Sequence, residues 1–201
     1  MKKMNVRNMR TKDITYIGIM AAAVYAASAF LQIPIPTVIG STRLHMGNVM
    51  CLLAGMLLGP YGGGLAAGLG SMLFDLMNPA YITSAPFTFL FKFAMAWICG
   101  TIICGNRMIR GSQIPHGGGA GTDQHIRKRY LIGSVAGAFA YCLCYLSKNF
   151  VEHRLVYGMP LQAVLLTTAQ KAAVSGINAV VACIVAVPLG LALRRVNTFR
   201  A

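Results

Sequence analysis

The fold is decided by the stretch RLHMGNVMCLLAGMLLGPYGGGLAAGLG, residues Arg43–Gly70, which carries eight of the chain's 22 glycines. Glycines that open onto a helix can cradle a phosphate, but a P-loop needs Lys and then Ser or Thr after its last glycine. Here Gly68 is followed by Leu69 and Gly70, and apolar helices replace the strand that a dinucleotide site requires. Small residues instead recur four apart, in the pairs Gly55/Gly59, Gly64/Gly68 and Ala66/Gly70. This spacing predicts two helices that pack closely within a membrane and are joined by a tight turn.

The composition around this stretch is that of an integral membrane protein. Of the 201 residues, 56% are hydrophobic and only 11% are charged, against about 25% charged residues in an average soluble domain. Apolar runs of about 20 residues recur, which matches the thickness of a lipid hydrocarbon core. The six cysteines lie within or at the edges of these runs, where cysteine usually acts as a small packing residue. The sequence therefore predicts neither a metal site nor a cofactor.

The net charge of +14 is concentrated in segments outside the apolar runs. Most of the 18 lysines and arginines lie in residues 1–13, in the polar loop 106–130, or at the C-terminal end. The positive-inside rule places such segments in the cytoplasm. A nucleic-acid partner would require a folded basic face with stacking aromatic side chains, which this loop does not offer. We therefore expect a lipid bilayer and no nucleic acid around this chain.

Apolar runs and helix breakers predict six membrane spans. Their bounds are Ile14–Ile33, His45–Leu58, Gly63–Met77, Pro86–Gly105, Tyr130–Asn149 and Leu161–Leu193. The prolines of IPIP (Ile33–Pro36) end the first span. An even number of spans places all the basic segments, including loop 106–130, on one side of the membrane. We expect the glycine-rich middle of this loop to be flexible.

The predicted fold class is an all-α integral membrane protein with six transmembrane helices in a compact bundle and both termini cytoplasmic. Residues 1–13 form a basic tail, residues 14–195 the membrane domain, and residues 196–201 a second tail. We expect a multi-pass protein in the plasma membrane of a bacterium.

Ionisable residues inside the predicted spans are candidates for a binding site, because each costs several kcal/mol if it faces lipid unpaired. Lys92 lies about 10 Å, and Lys171 about 15 Å, below the outer end of its span at 1.5 Å per residue. Asp75 lies about a turn inside the outer end of the third span. Asp75 and Lys92 therefore form either a structural salt bridge or part of a binding site. Lys171 has no obvious carboxylate partner and is predicted to face a wet cavity or an anionic ligand.

Polar residues on neighbouring spans extend this candidate site. Arg43 and His45 lead into the second span from outside and either line the mouth of a cavity or anchor the chain at the interface. Further hydrogen-bonding groups are Asn48, Tyr141, Tyr145, Asn149, Gln170 and Asn178, several of which can instead join helices. The pattern predicts an outward-facing pocket for a small polar solute. No catalytic set of side chains converges at one membrane depth, so we do not expect an enzyme.

Three segments resemble the substrate-binding S components of energy-coupling factor (ECF) vitamin transporters, above all the riboflavin-type group. They are TKDITYIGIMAAAVYAASAFLQIPIPT (residues 11–37), LHMGNVMCLLAGMLLGPYGGGLAAGLGSMLFDL (residues 44–76) and APFTFLFKFAMAWICGTI (residues 85–102). The similarity covers Thr11 to Ile103 and rests on the order of all three segments.

This resemblance implies a six-helix subunit that captures a vitamin from outside for ATP-driven uptake. It implies a membrane T component and two cytoplasmic ATPases as partners. Small residues on the first helix contact the T component in this family, which points to Ala22/Ala26 or Ala23/Ala27. Family substrate sites use the loop after the first helix and helices four to six, which points to residues 34–43, Lys92 and Lys171.

The sequence leaves the solute and two other functions open. The cationic groups favour a ligand with a carboxylate or phosphate, such as pantothenate, while riboflavin and pyrimidine- or pyridoxine-type compounds remain alternatives. A small secondary transporter driven by an ion gradient, with Asp75 as proton carrier, is one alternative function. A membrane assembly subunit that binds only protein is the other.

Overall fold

The computed structural model describes residues 11–36, 41–79, 81–105 and 120–195. In these ranges the chain is mostly helical, and five helices are long and apolar enough to cross a membrane. The elements in chain order are α1 (Thr11–Phe30), β1 (Gln32–Pro36), β2 (Ser41–His45), α2 (Gly47–Leu76), α3 (Ala85–Cys104), α4 (Ala120–Val151) and α5 (Leu161–Arg195). A short 3₁₀ turn (Ile82–Ser84) precedes α3, and a π-helical turn (Glu152–Val156) follows α4. The membrane class is confirmed, whereas the number of spans and the side of the termini remain predictions.

Helix α2 is folded back on itself at Gly59. This residue has φ 76° and ψ −174°, a left-handed conformation that favours glycine, and Pro60 follows it. Cys51 Sγ and Ser71 Oγ lie 3.7 Å apart, whereas 20 residues of straight helix would separate them by about 30 Å. The arms on either side of Gly59, residues 47–58 and 60–76, therefore pack against each other in opposite directions.

The glycines of α2 are packing residues, as their spacing predicts. A Cβ added at Gly64 would lie 2.9 Å from the ring of Phe93, and one at Gly68 would lie 2.8 Å from the ring of Phe89. Both aromatic residues belong to α3, so the missing side chains let α3 approach the second arm of α2 closely. Close approach of this kind stabilises helix pairs in lipid, where no hydrophobic effect drives them together.

The all-α class is confirmed, but the connection after α1 contains a short β-hairpin that the sequence did not predict. Strands β1 and β2 pair antiparallel, with Ile33 opposite Leu44 and Pro34 opposite Arg43. The physical reason lies in the IPIP sequence, because alternating prolines prevent a helix and hold the backbone extended. Helix α1 accordingly ends at Phe30, three residues before the predicted end at Ile33.

Helix α4 begins at Ala120, ten residues before the predicted start at Tyr130. Hydropathy detects only the apolar part of a helix, and residues 120–129 are polar but contain no proline that would stop one. That part of the predicted loop 106–130 is therefore helix. Residues 106–119, which include most of its glycine-rich middle, lie outside the described residues, as do residues 1–10 of the predicted tail 1–13 and the predicted tail 196–201.

The two ends of the bundle differ in character. At one end, Arg43 of β2 contacts Asp75 near the end of α2, which places the hairpin beside the connection from α2 to α3. At the other end, the bend of α2 packs on α3, since a Cβ added at Gly100 would lie 2.6 Å from the nitrogen of Pro60. The guanidinium of Arg129 lies over Gly105 at this same end. The basic start of α4 and the hairpin thus lie at opposite ends.

Candidate functional site

A cavity lies at the hairpin end of the bundle, where β2, the α2–α3 connection, α4 and α5 meet. Its lining residues are Thr42, Arg43, His45, Tyr81, Tyr141, Tyr145, Ser175 and Asn178. Five residues singled out in the sequence are brought together here, namely Arg43, His45, Tyr141, Tyr145 and Asn178. The cavity is polar and aromatic, with three tyrosines supplied by two different segments.

Arg43 is held on the cavity wall by an ion pair and two aromatic rings. Its Nη2 lies 3.1 Å from Asp75 Oδ1, and Asp75 Oδ2 accepts a 2.5 Å hydrogen bond from Thr88. The guanidinium carbon lies 3.7 Å from the centroid of the Tyr81 ring and 4.6 Å from that of Phe74, within the range of cation–π attraction. Arg43 therefore brings a charge that Asp75 already neutralises.

Lys92 and Asn48 form a buried pair behind the cavity. Lys92 Nζ donates a hydrogen bond to Asn48 Oδ1, and each residue is only 2% exposed. The ammonium also lies 4.0 Å from the centroid of the ring of Tyr141, which lines the cavity. Asp75 forms its salt bridge with Arg43 and not with Lys92.

His45 presents a defined tautomer to the cavity. Its Nδ1 accepts a hydrogen bond of 3.2 Å from the backbone N–H of Gly47. Desolvation, followed by the positive charges of Lys92 and Arg43, lowers the pKa of His45 well below 6.5. The imidazole is therefore neutral at pH 7, and because Nδ1 is the acceptor, the proton resides on Nε2. His45 thus has a single ring N–H left to donate.

Asn149 and Lys171 lie outside the cavity lining but adjoin it. Lys171 Nζ donates a 2.8 Å hydrogen bond to Asn149 Oδ1, and both residues are buried. Asn149 is four residues after Tyr145, and Lys171 is four residues before Ser175, so the pair lies one helical turn further along both helices. An amide oxygen, rather than a carboxylate, is therefore the partner that the sequence did not reveal for Lys171.

Two lining residues, Tyr81 and Ser175, were absent from the predicted set, and Thr42 was predicted only as part of the segment 34–43. Ser175 follows Lys171 by four residues and precedes Asn178 by three, so helical spacing alone indicates a shared face. Thr42 belongs to an undetected strand. Tyr81 lies in a connection, and no periodic pattern identifies it.

The four alanines predicted as a partner interface lie on α1 and differ in exposure. Ala22 is exposed, Ala23 and Ala26 are half-buried, and Ala27 is buried in the protein's own core. Within the described ranges, no group of three His, Cys, Asp or Glu residues is arranged to hold a metal ion.

Membrane-length helices with a polar, aromatic-lined cavity at one end define a membrane protein that can hold a small polar solute. The family model described as "ECF-type riboflavin transporter, S component" matches residues 8–195. The chain therefore belongs to this family, whose members are substrate-binding subunits of vitamin-type transporters and not enzymes. The resemblance found in residues 11–103 is confirmed, and the match extends over α4 and α5.

One relative is a protein of Pyrococcus woesei described as "Uncharacterized protein in gap 3'region". It is 31% identical over 129 residues, which cover 64% of this chain and 72% of the relative.

Proposed function

We propose that this protein captures riboflavin, or a closely related vitamin, from outside the cell and presents it for ATP-driven uptake. A membrane T component and two cytoplasmic ATPases would be its partners. The observation that carries this proposal is the cavity in which three tyrosines stand beside His45, whose ring N–H is left to donate. The family match supports the same class of ligand.

The chemistry of the cavity favours a planar, neutral ring over an anion. Tyrosine rings offer flat apolar faces on which an aromatic ring system stacks. The neutral Nε2–H of His45 suits a carbonyl oxygen or ring nitrogen of the ligand. Arg43 contributes less to anion binding than its charge suggests, because Asp75 neutralises it. Riboflavin, with its fused ring and ring carbonyls, fits this description better than pantothenate does.

We further propose that the two arms of α2 are two of six membrane-crossing helices. The packing of residues 47–58 against residues 60–76 supports this count. With six crossings both termini lie on the same side of the membrane. We propose that this side is the cytoplasm, so that the cavity faces outward. The basic residues at the start of α4 support that orientation through the positive-inside rule.

The surface for the T component is proposed to include Ala22 and Ala26 rather than Ala27, which is buried in the core. Replacing Ala22 and Ala26 by leucine should reduce co-purification with the T component and vitamin uptake, because bulk prevents close helix contact. Riboflavin binding to the isolated subunit should be unchanged. The matched control is Val180→Leu on a 58% exposed position of α5. Equal losses in both variants would contradict this surface.

The proposed function is tested by identifying the molecule that the protein carries. The protein is purified from cells in mild detergent, denatured, and its released small molecules are identified by mass spectrometry. We expect riboflavin or a related flavin in an amount comparable to the protein. Absence of any vitamin-like molecule, together with no binding across a panel of riboflavin, pantothenate and thiamine, would contradict the proposal.

A further inference from the structure

The side chain of Asn178 bonds to the backbone of the hairpin at two points. The N–H of His45 donates to Asn178 Oδ1 at 3.0 Å, and Asn178 Nδ2 donates to the carbonyl oxygen of Arg43 at 2.8 Å. The two bonds join positions more than 130 residues apart in the chain. Asn178 itself is 8% exposed.

The two backbone groups lie on the free edge of strand β2. In an antiparallel pair, the N–H and C=O of alternate residues point away from the partner strand. Because Arg43 and His45 direct these groups to Asn178, they occupy those outward positions. Pro34 is paired with Arg43, which explains why a proline without an N–H is tolerated there. The amide of Asn178 thus supplies the donor and the acceptor that a third strand would supply.

Satisfying this edge matters because an unpaired backbone group buried away from water costs free energy. The same contact also fixes the cavity wall. Side chains of a strand alternate between its faces, so Arg43 and His45 share one face while Leu44 takes the other. Arg43 and His45 both line the cavity.

We propose that Asn178 is a positioning residue that docks the hairpin on α5 and thereby holds Arg43 and His45 at the solute. The part of this inference that concerns the solute rests on the proposed function. The docking itself does not, because it concerns only the chain's own backbone. The role differs from the direct substrate contact that the sequence suggested for Asn178.

The docking is tested by amide hydrogen exchange on the purified full chain in detergent, without added vitamin. Asn178→Ala removes both bonds, and we expect the amide of His45 to exchange about tenfold faster than in the wild type. Val180→Ala, at a position of the same helix that is 58% exposed, should leave this rate unchanged. An unchanged rate in Asn178→Ala would overturn the docking role.

Asn178→Asp provides a rescue that a merely space-filling residue would not show. A neutral aspartic acid has one carbonyl oxygen to accept from His45 and one O–H to donate to Arg43. The carboxylate lacks the donor and repels the carbonyl of Arg43. Relative to the wild type at the same pH, exchange at His45 should be slow in acid and rise as the carboxyl ionises. Fast exchange at every pH, as in Asn178→Ala, would overturn the two-bond geometry.

The effect on the solute is tested with riboflavin as the probe. We expect riboflavin to dissociate about tenfold faster from Asn178→Ala than from the wild type, with a smaller change for Val180→Ala. Faster exchange at His45 without faster dissociation would overturn the positioning role. If the wild type binds no riboflavin, the proposed function fails, while the exchange experiments still decide the docking.

Discussion

At the scale of single residues, the ionisable groups in and around the site each have a polar partner. Asp75 neutralises Arg43 and accepts from Thr88, and Lys92 is satisfied by Asn48. Burying such groups is costly when one partner is missing. Replacing one partner of such a pair should therefore destabilise the protein more than replacing both partners together.

Asp75→Asn should destabilise the protein more than the double change Asp75→Asn with Arg43→Gln. The single change leaves the guanidinium without its carboxylate in a poorly hydrated place, at a cost of about 2 kcal/mol. Thermal denaturation of the single variants, the double variant and the wild type in detergent gives the coupling energy. Additive losses would show that the ion pair does not stabilise the fold.

His45 should make stability depend on pH in one direction. Its pKa in the folded protein is lowered below 6.5, so the unfolded chain takes up the proton first. The contribution of the neutral His45 to the free energy of unfolding is therefore complete above about pH 6.5, and it falls as the pH decreases below that value. Thermal denaturation between about pH 5 and pH 8 should show this slope in the wild type and a smaller one in His45→Asn. Equal slopes would contradict the assignment of a neutral His45.

The sequence predicts which residues are functional candidates better than it predicts their partners. Depth along a helix follows from residue number, and Lys92 and Lys171 are buried within membrane-length helices. The rotation of each helix about its axis does not follow from residue number. The pairing of Asp75 with Arg43 and of Lys171 with Asn149 therefore could not be derived.

At the scale of elements, the bend of α2 and its packing on α3 set the architecture. Gly59 turns the chain, and Gly100 allows α3 to approach that turn. Hydropathy and the Gly-Pro dipeptide predict the break. The hairpin was not predicted, because two strands of five residues give a weak periodic signal beside long helices.

Gly100→Ala should destabilise the protein by about 2 kcal/mol, as overpacking typically does. The added Cβ would lie 2.6 Å from the backbone nitrogen of Pro60, which cannot move aside as a flexible side chain can. Gly176→Ala is the matched control, since a Cβ there meets nothing within 4 Å and alanine favours helix. Thermal denaturation in detergent compares the two. A loss in Gly176→Ala as large as in Gly100→Ala would contradict close packing at the bend.

At the scale of the whole molecule, polarity is arranged from one end to the other. The hairpin, Tyr81 and the adjoining halves of α4 and α5 enclose the cavity at one end. The basic start of α4 and the bend of α2 occupy the other end. Charge distribution alone predicted this polarity, because it depends on segments rather than on helix rotation. In the orientation that we propose, the subunit would receive its solute on the side opposite to the basic start of α4.

The central claim is that the tyrosine-lined cavity binds riboflavin. Its most direct test is a fluorescence titration of the purified wild type with riboflavin, alongside Tyr145→Leu and the lipid-facing control Phe139→Leu, which is 69% exposed in the wild type. We expect saturable binding of one riboflavin per chain, weakened about tenfold by Tyr145→Leu through loss of ring stacking and unchanged by Phe139→Leu. Absence of saturable binding, or equal weakening by both substitutions, would contradict the claim.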